Sequence, residues 1–196
     1  MPGVAKALKS GGKAAGSVAQ PLTGNVVDEN SSKTISVRIP APLDEAALER
    51  VLSHWPVGIL SVTRPKDAPW SCPIVFAPSD GVLYSPVDGK PKSGGALARL
   101  NHIAREGEAT LLLERYENDW QALWWIRLSL DAKVIAPAEH EHPAVDALRR
   151  KYQQYETTPV LGDPPVLVRL TIRSIAAWAA DAHNPRTRAR LFETCR

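Results

Sequence analysis

Two stretches of this 196-residue chain hold side chains suited to chemistry. The first is the loop Val87-Asp88-Gly89-Lys90-Pro91-Lys92-Ser93-Gly94-Gly95. Two lysines stand two apart in it, and a glycine pair precedes a helix expected from Ala96 to Arg105. Backbone N–H groups at a helix start, joined by nearby ammonium groups, make a site for an anion. Lys-Pro-Lys is also common in solvated loops, so spacing alone leaves both readings open. The second stretch is Tyr116-Glu117-Asn118-Asp119-Trp120-Gln121-Ala122-Leu123-Trp124-Trp125-Ile126-Arg127, with three tryptophans in six residues. Strand alternation puts Trp125 and Arg127 on one face and Trp124 and Ile126 on the other. One tryptophan can then be core while the other lines an interface or a flat ligand. Core or dimer contacts for both are the alternative.

Other candidates carry less. Glu139-His140-Glu141-His142 has metal-ligand types, but Pro143 starts a helix at once, and side chains at one-residue intervals rarely converge there. The expectation is a helix start or a solvated turn. Cys72 has no second cysteine or basic cluster near it in sequence and reads as an inert thiol. Arg186, Arg188 and Arg190 lie in a basic end and could meet RNA or an acidic partner. No nucleophile motif supports a Ser-His-Asp triad.

The elements that position these residues follow from pattern. Pro40 and Pro42 disfavour a helix before Leu43, and Asp44 is a suitable N-cap for a helix to about His54. Leu43 and Leu48 have staple spacing around that cap. Val57 to Thr63 reads as a strand. Trp70 to Ala77 reads as a second, with Pro73 marking an edge, a bulge or a strand end. Ser79-Asp80-Gly81 is a hairpin turn into a third strand, Val82 to Ser85. Glu108 to Tyr116 and Leu123 to Ile135 are the fourth and fifth strands, the latter with a bulge expected near Leu130. Pro143 opens a helix carrying Val145, Leu148 and Tyr152 on one face. Pro165 to Ala179 is the sixth strand. Hairpins dominate, which favours an antiparallel barrel with attached helices over a doubly wound sheet.

Composition narrows the classes. Two cysteines, Cys72 and Cys195, are too few for a disulfide framework, and no apolar run approaches the length of a membrane helix. The net charge of +3 divides into +2 for residues 1–34, +2 for residues 181–196 and −1 for the body. A body without net positive charge is unsuited to sequence-independent phosphate binding, so no nucleic acid partner is expected. Residues 1–34 read as a flexible extension without a secretory signal, 35–180 as the folded domain and 181–196 as a basic tail. A cytoplasmic location with reduced thiols is expected. Six of the twelve aromatic residues are tryptophan, the oddest feature of the composition.

Taken in order, several stretches resemble the pyridoxamine-phosphate-oxidase-like, flavin-binding split barrels, and more narrowly the deazaflavin-dependent oxidoreductase branch of that class. They are Gly58 to Val62, Pro69 to Phe76, Leu83-Tyr84 through Asp88-Gly89-Lys90-Pro91-Lys92, Asp119-Trp120 with Leu123 to Arg127, Lys151 to Tyr155, and Ala176 to Ala179. The resemblance covers about residues 44–180. It implies a mainly β, α+β fold: a six-stranded antiparallel split β-barrel with peripheral helices, forming a homodimer with two sites at its interface. By motif position, Ser71 and Pro73 would line a flavin-type ring. Ser85, Lys90 and Lys92 would hold the cofactor phosphate. Trp125 and Arg127 would reach across from the partner subunit, and Trp178 would lie near the cofactor. The cofactor would be FMN or an 8-hydroxy-5-deazaflavin.

The chain departs from the family pattern at three places. Ser93 replaces a basic residue after the second lysine, His102 an asparagine before Ile103, and Leu130 a strand glycine. Losing that positive charge weakens phosphate capture by about 1 kcal/mol, and the N–H groups of Gly94 and Gly95 could substitute for it. The implied function is a flavin- or deazaflavin-dependent oxidoreductase transferring hydride or electrons to or from a small molecule. A non-catalytic flavin or haem binder on the same barrel and an unliganded interaction module are the alternatives.

Overall fold

A computed structural model describes residues 37–63, 69–90, 95–136 and 138–180, leaving out the side chains of residues 95–97. Asp44 caps the first helix as its type predicts: its Oδ1 accepts from the Ala47 N–H at 2.8 Å. Helix α1 (Glu45–His54) buries Ala47, Leu48, Val51 and Leu52. Two strands follow, β1 (Gly58–Val62) and β2 (Trp70–Ile74), then the short hairpin β3 (Ala77–Ser79) and β4 (Val82–Pro86). Asp80 and Gly81 have φ of 50° and 75° in that hairpin turn, the left-handed pair a two-residue turn of matching twist requires. Helix α2 (Gly95–Glu106) leads to β5 (Glu108–Arg115), β6 (Trp124–Ile135), α3 (Pro143–Lys151) and β7 (Leu167–Ala179). Short 3₁₀ turns at Trp120–Ala122 and Gln153–Glu156 flank β6 and follow α3. His142 caps α3, its Nδ1 accepting from the Ala144 N–H at 3.1 Å, so the Glu-His-Glu-His run serves the helix start. No described helix is long and apolar enough to cross a membrane.

The sheet has seven antiparallel strands, in the order β2-β1-β5-β6-β7-β4-β3, where the sequence predicts six. The extra strand comes from the stretch expected as one strand over Trp70–Ala77. Its first half pairs with β1 and its second half with β4. These are the opposite edges of the sheet, yet only Val75 and Phe76 separate them in the chain. Two residues span at most about 10 Å between flanking Cα atoms, so the sheet must curl until its edges nearly meet. Pro73 sits on edge strand β2, where a missing N–H costs no ladder bond.

The crossover is pinned by a side chain far away in sequence. The Tyr152 hydroxyl accepts from the Phe76 N–H at 3.0 Å and lies 2.8 Å from the Phe76 carbonyl and 3.0 Å from that of Pro56. Its single proton serves those two carbonyls in turn. Phe76 belongs to neither strand, and its backbone would otherwise be buried without partners.

Two apolar cores result. The barrel interior packs Leu60, Val62, Phe76, Leu111, Leu113, Trp124, Ile126, Leu128 and Leu130, closed by Leu100 and Ile103 of α2. Trp124 is fully buried, with the Trp55 ring edge-on at 4.7 Å. The second core lies between α3 and the outer face of the β3-β4 end, around Tyr84, Leu148, Tyr155 and Leu167. The bulge expected near Leu130 is present: the β6–β7 register shifts between Ser129 and Leu130, and Arg173 is the extra residue on β7. Its guanidinium bonds Glu108 at 2.6 Å and Asp131 at 3.4 Å. Those two carboxylates are a facing like-charge pair across β5 and β6 that would repel without it.

Candidate functional site

While α3 covers one half of the outer sheet surface, the other half carries three cross-strand rows. Paired residues share a face, so register alone assigns them. One row is Ser71, Ser61, Thr110, Ser129 and Ser174, running from β2 to β7. The next is Pro73, Ile59, Leu112, Arg127 and Ala176, and the third is Glu114, Trp125 and Trp178. None of the thirteen is buried. The surface is thus a hydroxyl ladder, an apolar strip ending beside an arginine, and two facing indoles. Ser61 and Ser71 hydroxyls bond each other at 2.8 Å.

Five of the residues singled out in the sequence fall on this one face: Ser71, Pro73, Trp125, Arg127 and Trp178. Trp178 is 41% exposed, unusual for so large an apolar group. Facing residues on neighbouring strands have Cβ atoms about 5 Å apart. Pro73 and Arg127, three strands apart, are therefore separated by about 14 Å before curvature. A single flat ring against β2 would not also span to Arg127 of the same chain.

The other expected residues lie elsewhere. Ser85 is 3% exposed and pairs with Val168. It points to the barrel interior with Leu83, on the opposite side of the sheet from the rows. The reason is local: β4 is covered on both faces, by the interior and by α3, so its sequence gives no alternation to read. Lys90 lies in a loop anchored by the Gly89 N–H to the Pro159 carbonyl at 3.1 Å and by the Gly162 N–H to the Val87 carbonyl at 2.7 Å. A Cβ on Gly162 would sit 3.1 Å from the Asp88 carbonyl oxygen, which explains glycine there. Lys90 Nζ is 3.3 Å from Asp88 Oδ2 and remains half exposed, so the pair adds at most about 1 kcal/mol. The same carboxylate is 3.5 Å from the Tyr155 hydroxyl. Burial first, and Asp88 second, hold that phenol well above its ordinary pKa. Lys92, with Ser93 and Gly94, lies outside the described residues.

Two features escape the sequence. Glu114 shares the indole row, and its Oε2 is buried with no hydrogen-bond partner. Cys72 faces inward with the Arg99 Nη1 at 3.7 Å from its Sγ, so it does have a basic neighbour, supplied by α2. Among the described residues no group of three His, Cys, Asp or Glu side chains could hold a metal.

The donor set suits a flat ring with a polar edge. The indoles and the apolar strip offer flat contact, and the hydroxyl ladder and Arg127 offer hydrogen-bond donors. Glu114 Oε2 offers an acceptor in need of a donor.

No family model and no curated protein matches the sequence. Solved structures match its fold. A conserved hypothetical protein from Mycobacterium tuberculosis superposes with a TM-score of 0.55 at 18% identity, over 74% of this chain and 89% of that one. An FAD-binding protein from Mesorhizobium loti gives 0.50 at 16% identity, over 69% and 94%. The chain has the split-barrel fold. A putative 5-nitroimidazole antibiotic resistance protein from Bacteroides thetaiotaomicron gives 0.52 at 14% identity, over 68% and 82%. At these identities the likeness extends to the split barrel's fold alone.

Proposed function

We propose that the protein is a homodimeric flavin-binding split barrel whose uncovered sheet face holds the ring of FMN, FAD or an 8-hydroxy-5-deazaflavin. The observation that carries the reading is the convergence of Ser71, Pro73, Trp125, Arg127 and Trp178 on one open face, beside an unpartnered Glu114 oxygen. FAD binding in the Mesorhizobium protein supports the same choice. Half-exposed Ile59, Leu112, Trp125 and Trp178 form the kind of patch that a second subunit covers. The wide separation of Pro73 from Arg127 fits a site shared between two copies, with Arg127 and Trp125 of one protomer completing the other's site. None of the thirteen face residues is a histidine, cysteine, methionine or tyrosine, the side chains that ligate haem iron. That favours a flavin over haem.

A bound flavin supplies hydride or electron transfer at its ring, to or from a small molecule. The chain's part is binding and orientation. Ser61 and Ser71 would present hydroxyls to a ring edge, Arg127 of the partner subunit would stabilise negative charge there, and Glu114 would accept from a ring N–H. The indoles exclude water from the stacked surface. The phosphate falls to Lys90 and Lys92, since Ser85 points inward. We assign this activity to the folded unit at residues 35–180.

The test is a titration of purified protein with FMN, FAD, the deazaflavin and haem, read by absorbance, with sedimentation for the subunit count. The reading expects a dimer that binds a flavin, with Arg127→Gln and Lys92→Ala each weakening it about tenfold. A monomer binding none of the four overturns it. Binding without turnover of reduced cofactor would favour the non-catalytic binder.

A further inference from the structure

A second concave site lies away from the three rows, where α1 and α3 end beside β3. It is a groove of about 320 Å³, with Ser53, His54, Arg150 and Lys151 as its polar lining and Ala77, Pro78 and Ala147 as its apolar side. That volume is at the lower end for a small-molecule site. Lys151 reaches across to α1. Its Nζ donates to the Leu52 carbonyl at 2.7 Å and lies 3.8 Å from the Phe76 ring centroid and 5.5 Å from that of Tyr152. A carbonyl and two ring faces favour the ammonium form. The ammonium has three N–H groups, and the Leu52 carbonyl takes one of them. No carboxylate among the described residues bonds Lys151, so this half-buried charge has cation-binding neighbours but no counter-charge. Burial opposes the charge and pulls the amine down to about 7; an anion beside it acts the opposite way.

The rest of the lining has the same sign. Arg150 has no acidic partner among the described residues, in contrast to neighbouring Arg149, which is held by Asp146 at 3.1 Å. Ser53 adds a hydroxyl donor. Two helix ends meet here, and free carbonyls at a helix end repel anions. The nearest of those carbonyls are already engaged. Leu52 is taken by Lys151, Val51 by the Trp55 N–H at 2.8 Å, Leu148 by the Tyr152 N–H at 3.0 Å and Arg50 by His54 Nδ1 at 2.9 Å. The groove therefore joins two cations without counter-ions to a hydroxyl and an apolar wall, with no carboxylate in its lining.

We propose that this groove is a second ligand site, which takes the phosphate of a small phosphomonoester between Lys151 and Arg150 and packs its organic part against Ala77, Pro78 and Ala147. Two cations match a dianion, and the forked guanidinium donates to two of its oxygens. The volume exceeds the need of a bare ion, whose size is near that of one or two waters of about 30 Å³ each. None of the lining residues belongs to the open sheet face or to the Lys90 loop, so the site is independent of the flavin reading.

The experiment titrates full-length ¹⁵N-labelled protein with phenyl phosphate, sulfate and sodium chloride at matched ionic strength, read by backbone amide shifts. A pH of about 6.5 keeps the ester largely dianionic, since its second pKa is about 6. Phenyl phosphate should give saturable shifts at Ser53, His54 and Lys151, and bind at least about threefold tighter than sulfate because its ring covers the apolar wall. Arg150→Gln should weaken phenyl phosphate binding about five- to tenfold, while Arg149→Gln, equal in charge but already paired, changes it less than about twofold. Both arginines are exposed, so neither change threatens the fold. Shifts that chloride reproduces, or saturable shifts confined to the Lys90 loop, overturn the proposal, as do equal losses from the two variants. Sulfate binding as tightly as phenyl phosphate overturns the assignment to an ester. The wild-type titration decides the presence of the site without any variant.

Discussion

Tyr152→Phe removes one oxygen and no carbon, and the fold predicts a large cost. The ring stays in the second core, packed edge-on against Tyr155 at 5.9 Å, so no cavity opens. What is lost is the partner of a backbone at the barrel's crossover. The Phe76 N–H loses its acceptor at 3.0 Å, and the Phe76 and Pro56 carbonyls lose a shared donor at 2.8 and 3.0 Å. Phe76 is fully buried, so water does not replace the hydroxyl without opening the seam. An orphaned buried donor costs about 1–3 kcal/mol, and with a carbonyl weakened as well the total is about 2–4 kcal/mol. Urea unfolding of wild type and variant measures it as a drop in midpoint at unchanged slope. Tyr155→Phe is the control: its hydroxyl contact to Asp88, at 3.5 Å, is at the limit of a hydrogen bond, and its loss should cost under about 1 kcal/mol. A Tyr152→Phe cost below about 0.5 kcal/mol would refute the crossover argument, since the orphan penalty alone exceeds that.

Three further outcomes follow from the same geometry. Stability should rise with pH from about 7 toward about 10, since Lys151 is depressed to about 7 when folded and the unfolded chain holds that proton to the ordinary lysine value of 10.5. The gain is on the order of 3 kcal/mol after allowing for the Phe76 ring and the Leu52 carbonyl, which favour the charged form. Above pH 10 the trend should reverse, because Tyr152 stays neutral to about 12 when folded and its ionisation stabilises the unfolded chain first; thermal melts across that range check both limbs, and a monotonic rise through pH 11 would contradict the second. Gly58→Ala should destabilise by about 1–3 kcal/mol in urea, since its Cβ would come 2.6 Å from a Leu111 methyl and 2.7 Å from one of Leu113, both fully buried.

The sequence carries local structure well and distant contacts poorly. Asp44, Pro143 and the Asp80-Gly81 turn each announce their role through chemistry confined to a few residues. Alternation puts Trp125 and Arg127 on one face because β6 has one covered and one open side. It gives nothing to read at β4, covered on both sides, and Ser85, assigned to the phosphate by the family resemblance, faces the interior there. The break at Val75-Phe76 is hidden inside an unbroken apolar run from Ile74 to Ala77, since both halves need the same residue types although they belong to opposite sheet edges. The Tyr152 anchor has partners 76 and 96 residues away, beyond any local pattern. The hydroxyl ladder is a register property: each strand shows one or two hydroxyls, and only pairing aligns them. Glu114 beside Trp125 is hidden for the same reason.

The central claim is that the open face binds a flavin ring, and tryptophan fluorescence tests it most directly. Trp125 and Trp178 are on that face, whereas Trp124 is sealed in the interior. Titration with FMN, FAD and the deazaflavin should quench emission saturably for at least one of them. Replacing Trp125 and Trp178 together by phenylalanine should remove most of the quench, with the melting temperature little changed. Saturable binding whose quench survives that double replacement would place the cofactor elsewhere and contradict the account, as would no saturable quench by any of the three.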